Sequence, residues 1–255
     1  MTTAMTIAGD NIIPELDSVA PPVLDAVAAF ARRLIAELDG KVPAGELAML
    51  RQQAEAVNTG ARTPVAPPPP DPTQPTIVRD EVALGRLATI VTDADEVVVD
   101  LETSDLDSRR GVIVGIGIAA GQATYYIPVN HRREDTGELR PDQLPLHQVL
   151  DALRLQSKPI IADNAKFELK WLARHGGITC RIAWDTMLAA RLMNSNLPAD
   201  LETLATRELD VPAWSLPAAD MKRMEYLPIE KVAAYNGKDC WYTHLLARKQ
   251  REVCT

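Results

Sequence analysis

The sequence lacks the features that would assign it to a disulfide-rich, zinc-binding or membrane class. Its three cysteines, Cys180, Cys240 and Cys254, are odd in number and do not have the spacing of a zinc site, so we predict free thiols in a reducing compartment. No run of about 18 apolar residues is present, and the N-terminal region has no basic segment followed by an apolar one. We therefore expect a cytoplasmic protein that does not associate with a membrane.

Basic residues are also in deficit. The chain has 27 Lys and Arg against 35 Asp and Glu, and a formal net charge of -8. A protein that coats nucleic acid needs a basic face, so this class is disfavoured. An enzyme that binds only a few nucleotides through metal ions is not excluded. The hydrophobic content of 46% is typical of a globular protein with one main domain and a smaller additional part.

Consecutive prolines at residues 67–70 divide the chain into two parts. Residues 63–75 are predicted to form a Pro-rich linker, an extended spacer of the polyproline type. Residues 1–62 are predicted to be a helical, partly disordered extension, with helices at 21–38 and 46–57. Two short helices bury little surface by themselves, so docking onto another chain or domain is one interpretation.

Residues 76–255 alternate between predicted strands and helices. Strands are predicted at residues 76–78, 97–103, 111–119, 123–129 and 159–162. Helices are predicted at residues 80–90, 142–155, 165–174, 186–194, 201–208 and 229–251. The third and fourth strands form an antiparallel hairpin. This pattern predicts a layered α/β fold rather than a pure repeat of strand, helix and strand.

The strand at residues 97–103 carries two carboxylates. Its three consecutive valines predict a strand that is buried on both faces. Asp100 and Glu102 are two residues apart, so they project from one face. Two adjacent carboxylates repel each other, which favours a divalent cation between them. The alternative is a strand that simply runs out into a polar loop.

Two later segments place polar side chains four residues apart on helices. Asn164 and Glu168 share one face of a predicted helix, for which Asp163 or Asn164 is the expected N-cap. Tyr235 and Asp239 share one face of the last helix. A tyrosine on an amphipathic helix can equally be a packing residue with a satisfied hydroxyl. Neither pair identifies a site when taken alone.

In their order along the chain, these segments resemble the motifs of the DEDDy 3′-5′ exonucleases, above all the proofreading domain of family A DNA polymerases. The matching motifs are Asp-x-Glu-Thr at 100–103, Tyr-Ile-Pro-Val-Asn-His at 126–131, Asn-x-Lys-Phe-Glu at 164–168, Ile-Ala-Trp-Asp-Thr-Met-Leu at 182–188 and Tyr-x-x-x-Asp at 235–239. Several ordered motifs are far more specific than any one of them. The resemblance implies a ribonuclease H-like fold, which is a five-stranded mixed sheet flanked by helices.

The resemblance also implies a role for each acidic motif residue. Asp100 would be shared by two divalent cations, Mg²⁺ or Mn²⁺. Glu102 and Asp239 would complete one metal site, and Glu168 would contribute to the other. Tyr235 would orient the attacking water. The implied reaction is metal-dependent hydrolysis at a DNA 3′ end that releases nucleoside monophosphates.

Further residues match family positions near the substrate. Thr103 and Leu106 would contact the terminal nucleotide, with Leu106 as an apolar wedge against the base. Asn164 and Lys166 would contact the substrate or hold the second motif in place. Asp185 matches a recurrent acid of the family, for which a structural capping role is preferred over catalysis.

Two positions need a separate explanation. The family usually has Asp where this chain has Glu168, and the extra methylene moves the carboxylate by about one bond length, so the site would be active with a longer reach, slowed or partly disabled. Gly237 lies inside a predicted helix, where glycine costs up to about 1 kcal/mol relative to alanine.

Three functions remain open from the sequence. The preferred one is a DNA 3′-5′ exonuclease that serves proofreading or repair together with a family A polymerase chain or domain, acting on single-stranded or frayed 3′ ends. The second is a ribonuclease D-like enzyme that trims RNA. The third is a catalytically impaired structural or interaction module. A family A polymerase would continue after the last motif, so both a part of a larger enzyme and a free-standing nuclease are compatible with the sequence.

Overall fold

The computed structural model describes residues 71–254, and residues 1–70 and Thr255 lie outside the described part. The predicted helical extension at 1–62 and most of the predicted linker therefore lie outside it as well. The described residues form an α/β fold in which helices flank a mixed β-sheet.

The sheet has six strands, and their order across the sheet is β1-β4-β3-β2-β5-β6. They are β1 (Thr76–Ile77), β2 (Val97–Thr103), β3 (Ile113–Ala120), β4 (Ala123–Pro128), β5 (Pro159–Ala162) and β6 (Arg181–Asp185). Strand β3 is antiparallel to both β2 and β4, whereas β1 is parallel to β4. Strands β5 and β6 continue the sheet in parallel from β2. The strand with the two carboxylates thus lies in the middle of the sheet.

The structure has one strand more than predicted, because Arg181–Asp185 forms an edge strand. These five residues are half-buried or exposed, and their apolar run of three residues, Ile-Ala-Trp, is too short to predict a buried strand. Their pairing with β5 depends on the folded sheet, since strand formation is governed by neighbours more than by local preference.

The described residues also contain seven α-helices and two short 3₁₀-helices. The α-helices are α1 (Glu81–Asp93), α2 (Leu146–Leu153), α3 (Ala165–Gly176), α4 (Thr186–Met193), α5 (Leu201–Leu209), α6 (Ala218–Met221) and α7 (Ile229–Cys254), and the 3₁₀-helices are Leu155–Ser157 and Met224–Tyr226. Helix α2 begins four residues later than predicted. Pro145 occupies its N-cap position, and a proline disfavours helical geometry in the residue before it. Within residues 71–254, none of the helices has the length and apolarity needed to cross a membrane.

The alternation of β2 separates the hydrophobic core from the polar face. Val99 and Leu101 pack into the cluster that the sheet forms with α1, α2 and α3. Val98 faces the other side and packs with residues of α7. Because side chains of a strand alternate, Asp100 and Glu102 share the face of Val98 and are directed towards α7.

The glycine inside α7 allows a chain segment to pack against the helix. A Cβ at Gly237 would lie 2.5 Å from Cδ of Pro75 and 2.8 Å from the carbonyl oxygen of Thr73. A backbone hydrogen bond closes a turn at residues 71–74. The last residues of the predicted linker thus form a turn that lies against α7. The helix contains glycine at this position, despite its low helix propensity, because the close approach of Thr73 and Pro75 leaves no room for a side chain.

Candidate active site

Three carboxylates meet between β2 and α7, and we call them the carboxylate cluster. Asp100 and Glu102 come from β2, and Asp239 comes from α7. One ligand atom from each lies within 4.8 Å of the other two. Glu102 and Asp239 are buried and Asp100 is half-buried. The structure thus brings together three of the four acids that the sequence analysis assigned to metal binding.

The two acids of β2 lie within the strand rather than at its end. Gly117 and Gly115 of β3 stand opposite Asp100 and Glu102, respectively. A Cβ at Gly117 would lie only 1.9 Å from Oδ1 of Asn236, so the missing side chain makes room for a group from α7. Glycine in the interior of an apolar strand often marks the close approach of another segment. The glycines of β3 were therefore the sequence signal that could have indicated the contact with α7.

Two residues without an assigned role donate hydrogen bonds to the cluster. Nδ2 of Asn236 lies 2.7 Å from Oδ2 of Asp100 and 3.2 Å from Oε1 of Glu102. Nε1 of Trp214 lies 2.6 Å from Oδ1 of Asp239. The sequence did not identify Asn236, because it occupies an unspecified position of the Tyr-x-x-x-Asp motif. It did not identify Trp214, because the loop that carries this residue has no periodicity.

The loop that carries Trp214 is attached to α5. Oε2 of Glu202 accepts hydrogen bonds from the backbone nitrogen of Trp214, at 2.8 Å, and from the hydroxyl of Ser215, at 2.7 Å. The indole ring packs against Tyr242 of α7, with 4.7 Å between the ring centroids. These contacts hold the indole N–H in a fixed direction towards Asp239.

Tyr235 lies one turn before Asp239 on α7, as the four-residue spacing predicts. Its hydroxyl interacts with the Asp239 carboxylate. Burial and the nearby negative charge of Asp239 raise the pKa of Tyr235 above its ordinary value. The side chain therefore stays a neutral hydroxyl.

Glu168 lies on α3 beside the cluster but outside the group of three. It is 3% exposed, and its Oε2 is buried without a hydrogen-bond partner among the described residues. Burial and the charge of Asp100 raise the pKa of Glu168 well above its ordinary value. A buried carboxylate oxygen without a partner is costly unless a ligand satisfies it.

The residues expected near the substrate lie around the same end of the fold. Leu106 is 81% exposed in the loop that follows β2. The hydroxyl of Thr103 donates to the carbonyl oxygen of Asp105 at 2.9 Å and so shapes this loop. Lys166 is exposed in the first turn of α3. Asn164 precedes α3 with a positive φ of 59°.

Asp185 caps two helices. Its carboxylate accepts hydrogen bonds from the backbone nitrogens of Asn164 at 3.2 Å, Ala165 at 2.9 Å and Leu188 at 2.9 Å. The first two lie at the start of α3, and the third lies in the first turn of α4. Asn164 is the N-cap residue of α3, which is one of the two expected positions, but its own side chain makes no capping hydrogen bond. The side-chain cap comes instead from Asp185, which is distant in sequence.

Burial, reinforced by repulsion between carboxylates, raises the pKa of each member of the cluster. Burial, together with the charge of Asp163, raises the pKa of Asp100 to about 7. Burial and the charge of Asp100 raise the pKa of Glu102 to about 8, although the Asn236 amide opposes this rise. The pKa of Asp239 is also well above its ordinary value, first because of burial. Buried carboxylate oxygens that receive neutral donors fit a hard divalent cation, which prefers oxygen ligands and offsets their repulsion.

We expect the metal-free protein to lose stability between pH 6.5 and pH 8. Raised pKa values mean that the folded state holds protons on Asp100 and Glu102 that the unfolded chain has already released, so stability falls as pH rises through the folded pKa values. The expected loss is about 2 kcal/mol or more. His131, whose pKa burial lowers to about 4, acts in the opposite sense but only below about pH 6.5.

Urea denaturation in EDTA at the two pH values measures this loss. The Asp100→Asn variant removes one titrating group and should show a smaller loss. Adding Mg²⁺ at pH 8 should restore stability to the wild type. A wild-type stability that is equal or higher at pH 8 would contradict the expectation.

Comparison with known proteins agrees with the motifs. A family described as 3′-5′ exonuclease matches residues 75–253. DNA polymerase I of Chloroflexus aurantiacus is 32% identical over 234 residues, which cover 86% of this chain and 24% of the relative. DNA polymerase I of Synechocystis is 34% identical over 171 residues, which cover 64% of this chain and 17% of the relative. The chain thus spans a quarter or less of the length of these relatives.

The fold has a counterpart among solved structures. The crystal structure of Escherichia coli RNase D, an exoribonuclease involved in structured RNA processing, matches with a TM-score of 0.53 and 15% identity over 69% of this chain and 44% of that chain. At this identity the likeness concerns the ribonuclease H-like fold. With the family match over most of its length, the chain belongs to the 3′-5′ exonuclease domains of family A DNA polymerases.

Proposed function

We propose that this domain hydrolyses the terminal phosphodiester bond at the 3′ end of single-stranded or frayed DNA and releases nucleoside monophosphates. The observation that carries the proposal is the carboxylate cluster with the Tyr235 hydroxyl beside it. Acids from a central strand and from a distant helix have no structural reason to be buried against one another, since their repulsion costs stability.

We propose two divalent cations, Mg²⁺ or Mn²⁺, as cofactors. Asp100, Glu102 and Asp239 would hold one of them, and Asp100 and Glu168 would contribute to the other. Bound cations would supply charge stabilisation for the attacking and leaving oxygens of the phosphodiester. The unpartnered oxygen of Glu168 supports its inclusion.

The protein side chains around the cations would orient the reactants. Tyr235, kept neutral by its raised pKa, can hold the attacking water by a hydrogen bond without taking its proton. Leu106, exposed after β2, would pack against the terminal base, and Thr103 would support the loop that presents it. Asn164 and Lys166 would contact the substrate or hold the second motif.

The surface next to Leu106 supports binding of a polyanion. An open pocket of about 840 Å³ lies there. Its basic lining residues are Arg109, Arg110, Lys170 and Arg174. Asp105 and Asp107 form ion pairs with the two arginines of the loop, so the local excess of positive charge is modest. We expect backbone phosphates of the DNA strand to bind along this pocket, because phosphate contacts dominate affinity for nucleic acids.

We also propose a role in proofreading or repair together with a family A polymerase. The support is that the curated relatives with 32% and 34% identity are DNA polymerase I proteins. A coupled assay, in which the chain is added to an exonuclease-free polymerase on a mismatched primer, tests this role.

RNA is the alternative substrate, since E. coli RNase D shares the fold. Digestion of 5′-labelled DNA and RNA of equal sequence, with Mg²⁺ or EDTA, separates the candidates. We expect a ladder that shortens from the 3′ end of DNA only when Mg²⁺ is present. Faster loss of RNA would favour RNA trimming. A lack of digestion of either strand with Mg²⁺ and Mn²⁺ would indicate an impaired module.

We expect digestion to require a free 3′ end. Leu106 as a wedge and Tyr235 as a water-orienting group both act on a terminal nucleotide. Circular single-stranded DNA should therefore stay intact under conditions that degrade the linear strand of the same sequence. Efficient nicking of the circle would contradict the assignment, and linearisation of the circle by a restriction cut at an annealed site provides the matched control.

A further inference from the structure

The Asn236 side chain is a fully buried amide between the two acids of β2. Its Nδ2 is within hydrogen-bond distance of one oxygen of Asp100 and one oxygen of Glu102, at 2.7 and 3.2 Å. We propose that Asn236 is a positioning residue, which fixes the spacing and orientation of these two carboxylates before a divalent cation binds. The proposal rests on the function proposed above.

A neutral donor suits this position better than a charged one. An amide N–H stabilises both carboxylates in one arrangement without cancelling the negative charge that attracts a cation. A lysine or arginine would make the same hydrogen bonds but would compete electrostatically with the cation. Asn236 contacts one oxygen of each carboxylate, Oδ2 of Asp100 and Oε1 of Glu102, so each carboxylate keeps a second oxygen for a ligand bond. Its Nδ2 also lies 3.5 Å from the backbone carbonyl oxygen of Asp100, which leaves both carboxylates unaffected.

The surroundings of the amide are shaped to hold it. Gly117 lies directly beneath it on β3, and any side chain there would collide with its Oδ1. Oδ1 also receives the Sγ–H of Cys240, one turn further along α7, at 3.7 Å. The amide is thereby held from both ends, which gives Nδ2 a single orientation. Outer partners of metal ligands typically change metal affinity by about 10–100-fold when they are removed.

The first test measures cation affinity and not activity alone. Calorimetric titration with Mg²⁺ and with Mn²⁺ should give a Kd about 10–100-fold weaker for Asn236→Leu than for wild type. Leucine has the same number of side-chain heavy atoms as asparagine and the same branching at Cγ but cannot donate, and Asn236→Ala provides a smaller donor-free variant. Thr243→Val is the matched control, because Thr243 is buried on the same helix and its hydroxyl has no hydrogen-bond partner among the described residues.

Turnover adds a second readout. Asn236 contacts the carboxylates and is not expected to contact the DNA. The variants should therefore lower kcat at saturating Mg²⁺ and leave the KM for the oligonucleotide unchanged. A change confined to KM would contradict a positioning role. A wild-type Mg²⁺ Kd in Asn236→Leu would overturn the inference and leave the proposed nuclease function in place.

A third measurement uses the wild-type protein and so does not depend on the folding of a variant. The side-chain amide resonances of Asn236 should shift during an NMR titration with Mg²⁺. The buried amide of Gln250, also on α7, bonds to Thr186 and Trp184 and should stay unchanged. An Asn236 amide that does not respond at saturating Mg²⁺ would overturn the inference. Wild type that binds no divalent cation would overturn both this inference and the proposed function.

Discussion

Replacing Asp100 with alanine is expected to abolish exonuclease activity without unfolding the domain. Asp100 is the acid that the proposal assigns to both cations, so its loss removes charge and geometry from the whole site. The expected fall in kcat is at least on the order of 10³-fold. In EDTA the variant should be as stable as wild type or more stable, because removal of one acid relieves repulsion on Glu102 and Asp239.

Digestion of a 5′-labelled oligonucleotide with Mg²⁺ measures the activity, and thermal denaturation in EDTA measures the stability. Asp95→Ala is the matched control, since Asp95 is exposed just before β2 and lies outside the carboxylate cluster. Asp100→Ala activity within a few-fold of wild type would contradict the assignment of this site. A large loss of stability would instead assign Asp100 a structural role.

Replacing Glu168 with alanine is expected to lower activity by orders of magnitude, whereas Glu168→Asp should change it modestly. Glu168 is buried with an oxygen that has no partner among the described residues, which is the state expected of a ligand without its ion. A site that loses this ligand loses charge neutralisation and geometry together. Shortening the side chain by one methylene restores the residue that the family usually has at this position.

The choice of metal gives this prediction a second readout. Mn²⁺ tolerates departures from ideal coordination geometry better than Mg²⁺ does. It should therefore support more activity at a site where the longer side chain of Glu168 displaces the ligand oxygen. We expect a higher ratio of Mn²⁺ to Mg²⁺ activity for wild type than for Glu168→Asp. Glu138→Ala, a change at an exposed glutamate, is the control. Equal ratios together with a harmless Glu168→Ala substitution would remove Glu168 from the site.

The sequence by itself determined the elements that depend on local periodicity. Three valines followed by acids two residues apart predicted the buried strand β2 and the common face of Asp100 and Glu102, because side chains of a strand alternate whatever their neighbours are. The four-residue spacing of Tyr235 and Asp239 likewise predicted their contact on α7, since helical geometry alone places such residues together. The ordered motifs then predicted the family.

The tertiary structure alone decided the contacts between segments that are distant in sequence. Asn236 lies between the β2 acids only because α7 crosses β3 at Gly117. Asp185, at the end of β6, caps α3, and Gly237 is tolerated in a helix because Pro75 packs against it. No local preference encodes these contacts, because each one exists only after the sheet has formed and long-range packing has overridden the propensity of the individual residue.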